Sequence, residues 1–250
     1  MPNATACLLV IGDEVLSGRT RDLNIHFIAG RCGAIGMPLR EVRVIPDVTE
    51  TIVRTVNEVR AAFDHVFTTG GIGPTHDDIT AEAISMAFGV PWEIHEQAFG
   101  EMSARYAEGE FNAARQRMAT MPRGAMLIAN SVSFAPGFTM GNVHVMAGVP
   151  RIMQAMWAAL EPTLPHGDPV LMRAVHAAGL LEGAIAAGLT SIAAKHPALS
   201  IGSYPYERPT TRGVAIVAKG LDLAQADAAI AEVSDLIRSI GKEPVPGEPA

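Results

Sequence analysis

Three times in succession, a short apolar run gives way to a turn and then to residues with helical spacing: Ala6–Ile11 then 23–35, Leu39–Ile45 then 49–63, and His65–Thr69 then 79–88. Strands separated by helices pair in parallel, because only a long crossover can join parallel neighbours. Such crossovers are right-handed almost without exception, which spreads the helices over both faces of an open, doubly wound, mostly parallel α/β sheet. The carboxyl ends of the strands then share one edge, and the loops leaving that edge are where such sheets bind ligands.

The third of those loops reads Thr69-Gly70-Gly71-Ile72-Gly73-Pro74-Thr75-His76-Asp77-Asp78. A strand entering a glycine-rich turn and then a helix leaves backbone N–H groups free to face a phosphate or carboxylate, and glycine lets a ligand approach the backbone closely. The plain alternative is a tight turn with Asp77 or Asp78 as helix cap. Asp13 and Glu14 follow the first strand and Asp47 the second, so five carboxylates are expected on one edge. A single Asp there is a helix cap. Five beside an anion-binding turn repel one another, and a divalent cation bridging them to a phosphate relieves that repulsion. On this reading Gly71→Val should abolish ligand binding with the fold intact, and Asp78→Asn should keep the shape while cutting turnover.

Composition narrows the chemistry. The 250 residues carry 19 basic and 26 acidic side chains, a net charge of −7, with neither half a basic module, so nucleic acid is not an expected partner. No lysine precedes Lys195, which removes a Walker lysine or Schiff-base lysine from that region. Cys7 and Cys32 make neither a disulfide framework nor a zinc spacing, the histidines form no ligand pair, and Gly-x-Ser-x-Gly and Gly-x-Gly-x-x-Gly are absent. The apolar run at residues 7–11 is too short for a signal-peptide core or the roughly 20 residues of a membrane span. A soluble, cytoplasmic protein with no membrane partner is expected.

After Pro91 the spacing predicts helix through about Met118, then strands Met126–Ile128, Gly137–Met140 and Val143–Met146, the last two joined by Gly141-Asn142, and a helix Pro150–Leu160. Pro162, Pro165, Gly167 and Pro169 mark a linker between a domain at 1–165 and one at 170–242. The second reads strand 170–176, helix 181–195, strands 199–203 and 213–219 and helix 221–240, a small α+β sheet with helices on one face, and 243–250 reads as a frayed tail.

The run Gly12-Asp13-Glu14-Val15-Leu16-Ser17-Gly18 with Asn24, then Pro46-Asp47, the loop at 69–80, Ala135-Pro136-Gly137-Phe138 and Gly148-Val149-Pro150 resembles the competence/damage-inducible protein A family of the molybdopterin-binding superfamily. The resemblance implies a three-layer sheet domain followed by a small KH-like α+β domain. It implies a divalent-metal-dependent pyrophosphatase of a nucleotide diphosphate, of the ADP-ribose or FAD class, with a non-catalytic molybdopterin- or nucleotide-binding protein as the alternative. The implied catalytic residues are Asp47, Asp77 and Asp78, and the implied ligand contacts are Gly70, Gly71, Gly73, Pro74, Thr75, Ser17, Asn24, Pro136 and Gly137. Asp13, Glu14, Asp47, Asp77 and Asp78 are the implied ligands of a divalent ion (Mg, Mn or Co), with a monovalent cation beside it. The implied partner is an anionic small molecule, and the implied assembly a homo-oligomer. The amidohydrolase domain of longer members and the synthetic domain of FAD synthases are missing, so neither nicotinamide deamidation nor FAD synthesis is predicted. The second domain lacks Gly-x-x-Gly and a basic surplus, so RNA binding is not expected either. The sequence departs from the family at Leu23, at Val132-Ser133-Phe134, and at Ala147 and Ile152, the last standing where an acid is usual.

The linker sets the first expectation: brief subtilisin digestion should cut first within residues 162–169, and a first cut elsewhere would contradict the proposed boundary.

Overall fold

The computed structural model describes residues 3–249. The first strand, β1 (Ala6–Ile11), is buried along its whole length, as a central strand covered on both faces must be. It is followed by a short α1 (Asp13–Leu16), α2 (Asn24–Ala34), β2 (Leu39–Ile45), α3 (Thr49–Ala62), β3 (His65–Thr69) and α4 (Thr80–Phe88). Side chains alternate across β1 and split between two cores. Cys7, Leu9 and Ile11 pack with Ile52, Val56 and Ile84 of α3 and α4. Ala6, Leu8 and Val10 pack with Ile28 of α2 and with Met153 and Trp157 on the other face.

Between α4 and the far side of the sheet lie β4 (Trp92–Ile94), α5 (Glu96–Ser103), α6 (Ala113–Arg117) and β5 (Thr120–Pro122), with β4 and β5 forming their own antiparallel pair. The continuous helix expected up to Met118 is therefore broken. Its apolar spacing comes from an aromatic cluster, with Phe99 and Tyr106 packed on Phe111 at 4.9 and 5.5 Å between ring centroids. Gly109 turns the chain at φ +79°, and the Asn112 side chain accepts from the Arg115 N–H to start α6. β6 (Met126–Ile128), β7 (Gly137–Met140), β8 (Val143–Met146) and α7 (Pro150–Leu160) complete the unit. The sheet order is β2-β1-β3-β8-β7-β6, parallel from β2 to β8 and antiparallel beyond. Asn142 fixes the β7–β8 turn by donating to the carbonyls of Arg60 and Phe63.

The chain divides into two compact units, 1–167 and 168–250. The second holds β9 (Leu171–Ala178), α8 (Glu182–Lys195), β10 (Ser200–Arg208), β11 (Thr211–Gly220), α9 (Leu223–Ser239) and β12 (Val245–Pro246), with antiparallel sheet order β10-β11-β9-β12. Its core joins Val175, Val214 and Ile216 to Ile185 and Ile192 of α8 and to Val233 and Ile237 of α9. Of the tail expected to fray, Ala250 lies outside the described residues, and residues 245–247 are held in place. Val245 and Pro246 pair with β9, and the Gly247 N–H donates to the Ala174 carbonyl at 2.8 Å. Pro246, lacking an N–H, is tolerated because β12 lies at the sheet edge. Among the described residues no helix is long and apolar enough to cross a membrane.

His144 on β8 is buried, with Nδ1 3.0 Å from the Thr139 hydroxyl and Nε2 3.0 Å from His65 Nδ1. Burial, and then the neighbouring His65, push its pKa down to about 3. In the unfolded chain it titrates near 6.5. Its contribution to stability is therefore complete above about pH 6.5 and is lost as the pH falls from there toward 3. Between pH 7.5 and 5.5 this group alone should remove about 1.4 kcal/mol, measurable by urea unfolding. His144→Gln should flatten that dependence, and an unchanged slope in the variant would refute the assignment.

Candidate active site

At the carboxyl edge of the sheet a cleft of about 670 Å³ opens over the glycine loop. The loop's shape follows from two glycines in the left-handed region. Gly70 has φ +106°, and a Cβ there would lie 2.1 Å from the Ile11 carbonyl oxygen. Gly71 has φ +67°, and its Cβ would lie 2.1 Å from the buried Thr80 hydroxyl. Gly71→Val is thus not the clean ligand test expected from the sequence, because it strikes the start of α4. The Gly70 N–H is also spent within the fold, donating to the Met146 carbonyl at 3.1 Å. The N–H groups of Gly71, Ile72 and Gly73 make no hydrogen bond to described residues and remain available to an anion.

Of the residues singled out in the sequence, Glu14, Asp47, Gly70, Gly71, Gly73, Pro74, Asp77 and Asp78 line the cleft. Asp47 sits after β2, and its carboxylate accepts from the Asp13 N–H at 2.9 Å. Burial, opposed by that hydrogen bond, and then the carboxylates of Asp13, Glu14 and Asp77 hold its carboxyl above the ordinary range. Asp78 turns back into its own loop, accepting from the Thr75 N–H at 2.8 Å and the Thr75 hydroxyl at 2.6 Å. Asp77, beside the same hydroxyl, is held below the ordinary range. Asp78→Asn would therefore disturb the turn as well as the charge.

The other expected contacts lie elsewhere. Asn24 is 2% exposed and donates to the Gly148 carbonyl at 2.8 Å, bracing the cleft wall from behind. Ser17 bonds the Glu14 carbonyl, Thr75 serves Asp78, and Gly137 is buried in β7. Pro136 lines a neighbouring groove, and Asp13 offers Asp47 its backbone rather than its carboxylate. Among the described residues no three His, Cys, Asp or Glu side chains converge closely enough to hold a metal ion. The acids crowd one edge but do not form a cage, with the Asp78 carboxylate turned onto Thr75 and that of Asp47 onto the Asp13 N–H. The donor chemistry still suits a hard cation of the magnesium type, which takes one or two carboxylates and completes its shell with phosphate oxygens and water.

Sequence reasoning missed Arg19. It lines the cleft from the turn after α1, where Gly18 reverses the chain at φ +73°, and it pairs with none of the four carboxylates there. An isolated Arg in a glycine turn carries no periodic signal, so only the fold could place it. Of the family departures named above, Ser133, Ala147 and Ile152 also line the cleft.

Residues 7–166 match the model of a probable molybdopterin binding domain, and residues 169–243 that of the FAD synthase middle domain. A protein of Pyrobaculum calidifontis is 35% identical over 211 residues, 80% of either chain. A CinA-like protein of Geobacter sp. (strain M21) is 38% identical over 164 residues, 63% of this chain and 39% of that one. A probable FAD synthase of Caenorhabditis elegans is 34% identical over 181 residues, 64% of this chain and 35% of that one. The crystal structure of CinA from Thermoplasma acidophilum, a protein of unknown function, matches with a TM-score of 0.61 at 30% identity, over 65% of this chain and 99% of that one.

The loop geometry sets a stability expectation. Gly71→Val should destabilise the protein by on the order of 2–5 kcal/mol, combining left-handed strain with the Thr80 clash. Full retention of the thermal midpoint would show that the loop can relax and that the two left-handed glycines are not what shapes it.

Proposed function

The chain belongs to the molybdopterin-binding domain family that takes in the CinA-like proteins, and from that premise we propose that it hydrolyses the pyrophosphate bond of a nucleotide diphosphate of the ADP-ribose or FAD class with the help of a divalent ion. A nucleotide-related role is consistent with both family matches. The observation that carries the finer reading is the pairing, in one cleft, of free anion donors with carboxylates in mutual repulsion at Asp47. The amides of Gly71, Ile72 and Gly73 and the guanidinium of Arg19 would bind phosphate oxygens. Asp47, with Glu14 or Asp77, would hold the ion. When bound, a divalent ion supplies neutralisation of charge on the phosphate oxygens and acidifies a bound water. Ile11, Ile72, Met118 and Met156 give the cleft an apolar side that limits solvent and strengthens those contacts.

A second reading, a binding protein without turnover, draws on Ile152 standing where an acid is usual and on the acids not being assembled into a metal site. Release of AMP from ADP-ribose or FAD in Mg, Mn or Co, abolished by EDTA, separates the two. Asp47→Asn keeps an acceptor for the Asp13 N–H and should lower kcat by on the order of a hundredfold. Arg19→Ala should raise KM about tenfold with a smaller change in kcat. No AMP under any of the three ions would leave only the binding reading.

A further inference from the structure

A second depression of about 450 Å³ lies beside the cleft, lined by Gln97, Glu101, Arg105, Asn130, Phe134 and Pro136 among others. One segment separates the two. Ser133 and Ala135 line the cleft, whereas Phe134 and Pro136 line the groove, so consecutive side chains of one loop face opposite ways. Phe134 is the only non-glycine residue with positive φ among those described, at +66°, a conformation that costs a bulky side chain. Asn130 holds the loop there. Its Oδ1 accepts from the N–H groups of Val132 and Ser133, and its Nδ2 donates to the Ser133 hydroxyl and the Ala135 carbonyl.

The strain does not serve to bury the ring, which remains 42% exposed. Arg105 lies over the ring, 3.8 Å from its centroid. Glu101 lines the same groove but accepts from the Gln97 amide, and among the described residues Arg105 forms no ion pair, so its N–H groups are open to a ligand. A half-exposed aromatic ring stacked with an unpaired guanidinium, with the Gln97 amide and the Glu101 carboxylate lining the same groove, is the chemistry that receives a heteroaromatic ring by stacking and hydrogen bonding.

We propose that this groove is a second ligand subsite, which takes the second ring system of a dinucleotide whose pyrophosphate lies in the cleft. The inference rests on the reading of the cleft given above and adds a substrate preference to it: two-ring dinucleotides over nucleotide diphosphates that end in a sugar. Phe134→Gly tests it well, since glycine adopts φ +66° freely and the change relieves strain while removing the stacking face. Ala129→Trp narrows the groove by a bulky side chain at another lining position and leaves the Phe134 residue in place.

Dissociation constants for the methylene-bridged analogues of FAD and of ADP-ribose, whose P–C–P linkage cannot be hydrolysed, measured by calorimetry with Mg present, decide the matter. The parent chain should bind FAD more tightly than ADP-ribose. Both variants should lose about tenfold for FAD, with ADP-ribose within about twofold of the parent. Equal losses for the two ligands, or undiminished FAD binding in both variants, would overturn the subsite and leave the cleft reading standing. Failure of the parent to bind either ligand would overturn the cleft reading and the subsite with it.

Discussion

The site depends on a close approach of strand ends that leaves no room for a side chain. β3 leaves the sheet through Gly70, against the carbonyl of Ile11 at the end of β1. The turn after β8 closes in from the other side, with its Gly148 carbonyl held by Asn24. The Gly70 N–H is bonded to Met146, whereas residues 71–73 line the cleft with N–H groups that bond to no described residue. The buried side-chain oxygens without a protein partner, on Asn24, Thr68, Thr69 and Thr80, belong to the end of β3 and to residues bracing its loop. Each such group costs on the order of 1–3 kcal/mol of lost hydration. The stability given up here is offset by the two cores on either side of β1.

That backbone arrangement explains why the acids crowd without closing into a metal cage. Glu14, Asp47 and Asp77 leave from three different strand ends, so the sheet brings them to one edge, but backbone donors already engage part of the set. Asp47 is tied to Asp13 and Asp78 to Thr75. Against four cleft carboxylates stands Arg19 alone. A dianionic ligand entering such a cleft would be repelled unless it brought positive charge with it. On the proposed reading the ion is completed by the ligand's own phosphate oxygens, so ion and nucleotide bind as one unit.

The repeated strand-to-helix alternation made the fold legible, because a period of two giving way to a period of 3.6 is a property of the chain itself. β1, β2, β3 and α7 have the bounds read from sequence. The glycine loop and the four acids that line the cleft with it were legible for the same reason: their positions follow from strand ends. What failed were readings that needed tertiary partners. Phe99, Tyr106 and Phe111 mimic a helical stripe but pack on each other around a turn. Val245 and Pro246 carry no strand signal of their own and are ordered by the free edge of β9. Asn24 has the residue type of a ligand contact, yet only the fold shows that its amide is already spent on Gly148.

Strain in this unit is placed unevenly, and its placement separates structural need from ligand contact. At residues 70 and 71 the chain uses glycine, so the left-handed turn costs little beyond entropy and serves the packing of strand ends. At 134 the same backbone region carries phenylalanine, where glycine would have met the geometric demand at lower cost. Asn130 spends its whole side chain on keeping that conformation. On the subsite proposed above, this residue serves through its side chain, which faces an open groove rather than a core. Backbone strain that surrounding hydrogen bonds over-determine clusters at ligand-binding segments, which is where that proposal puts the loop at 130–135.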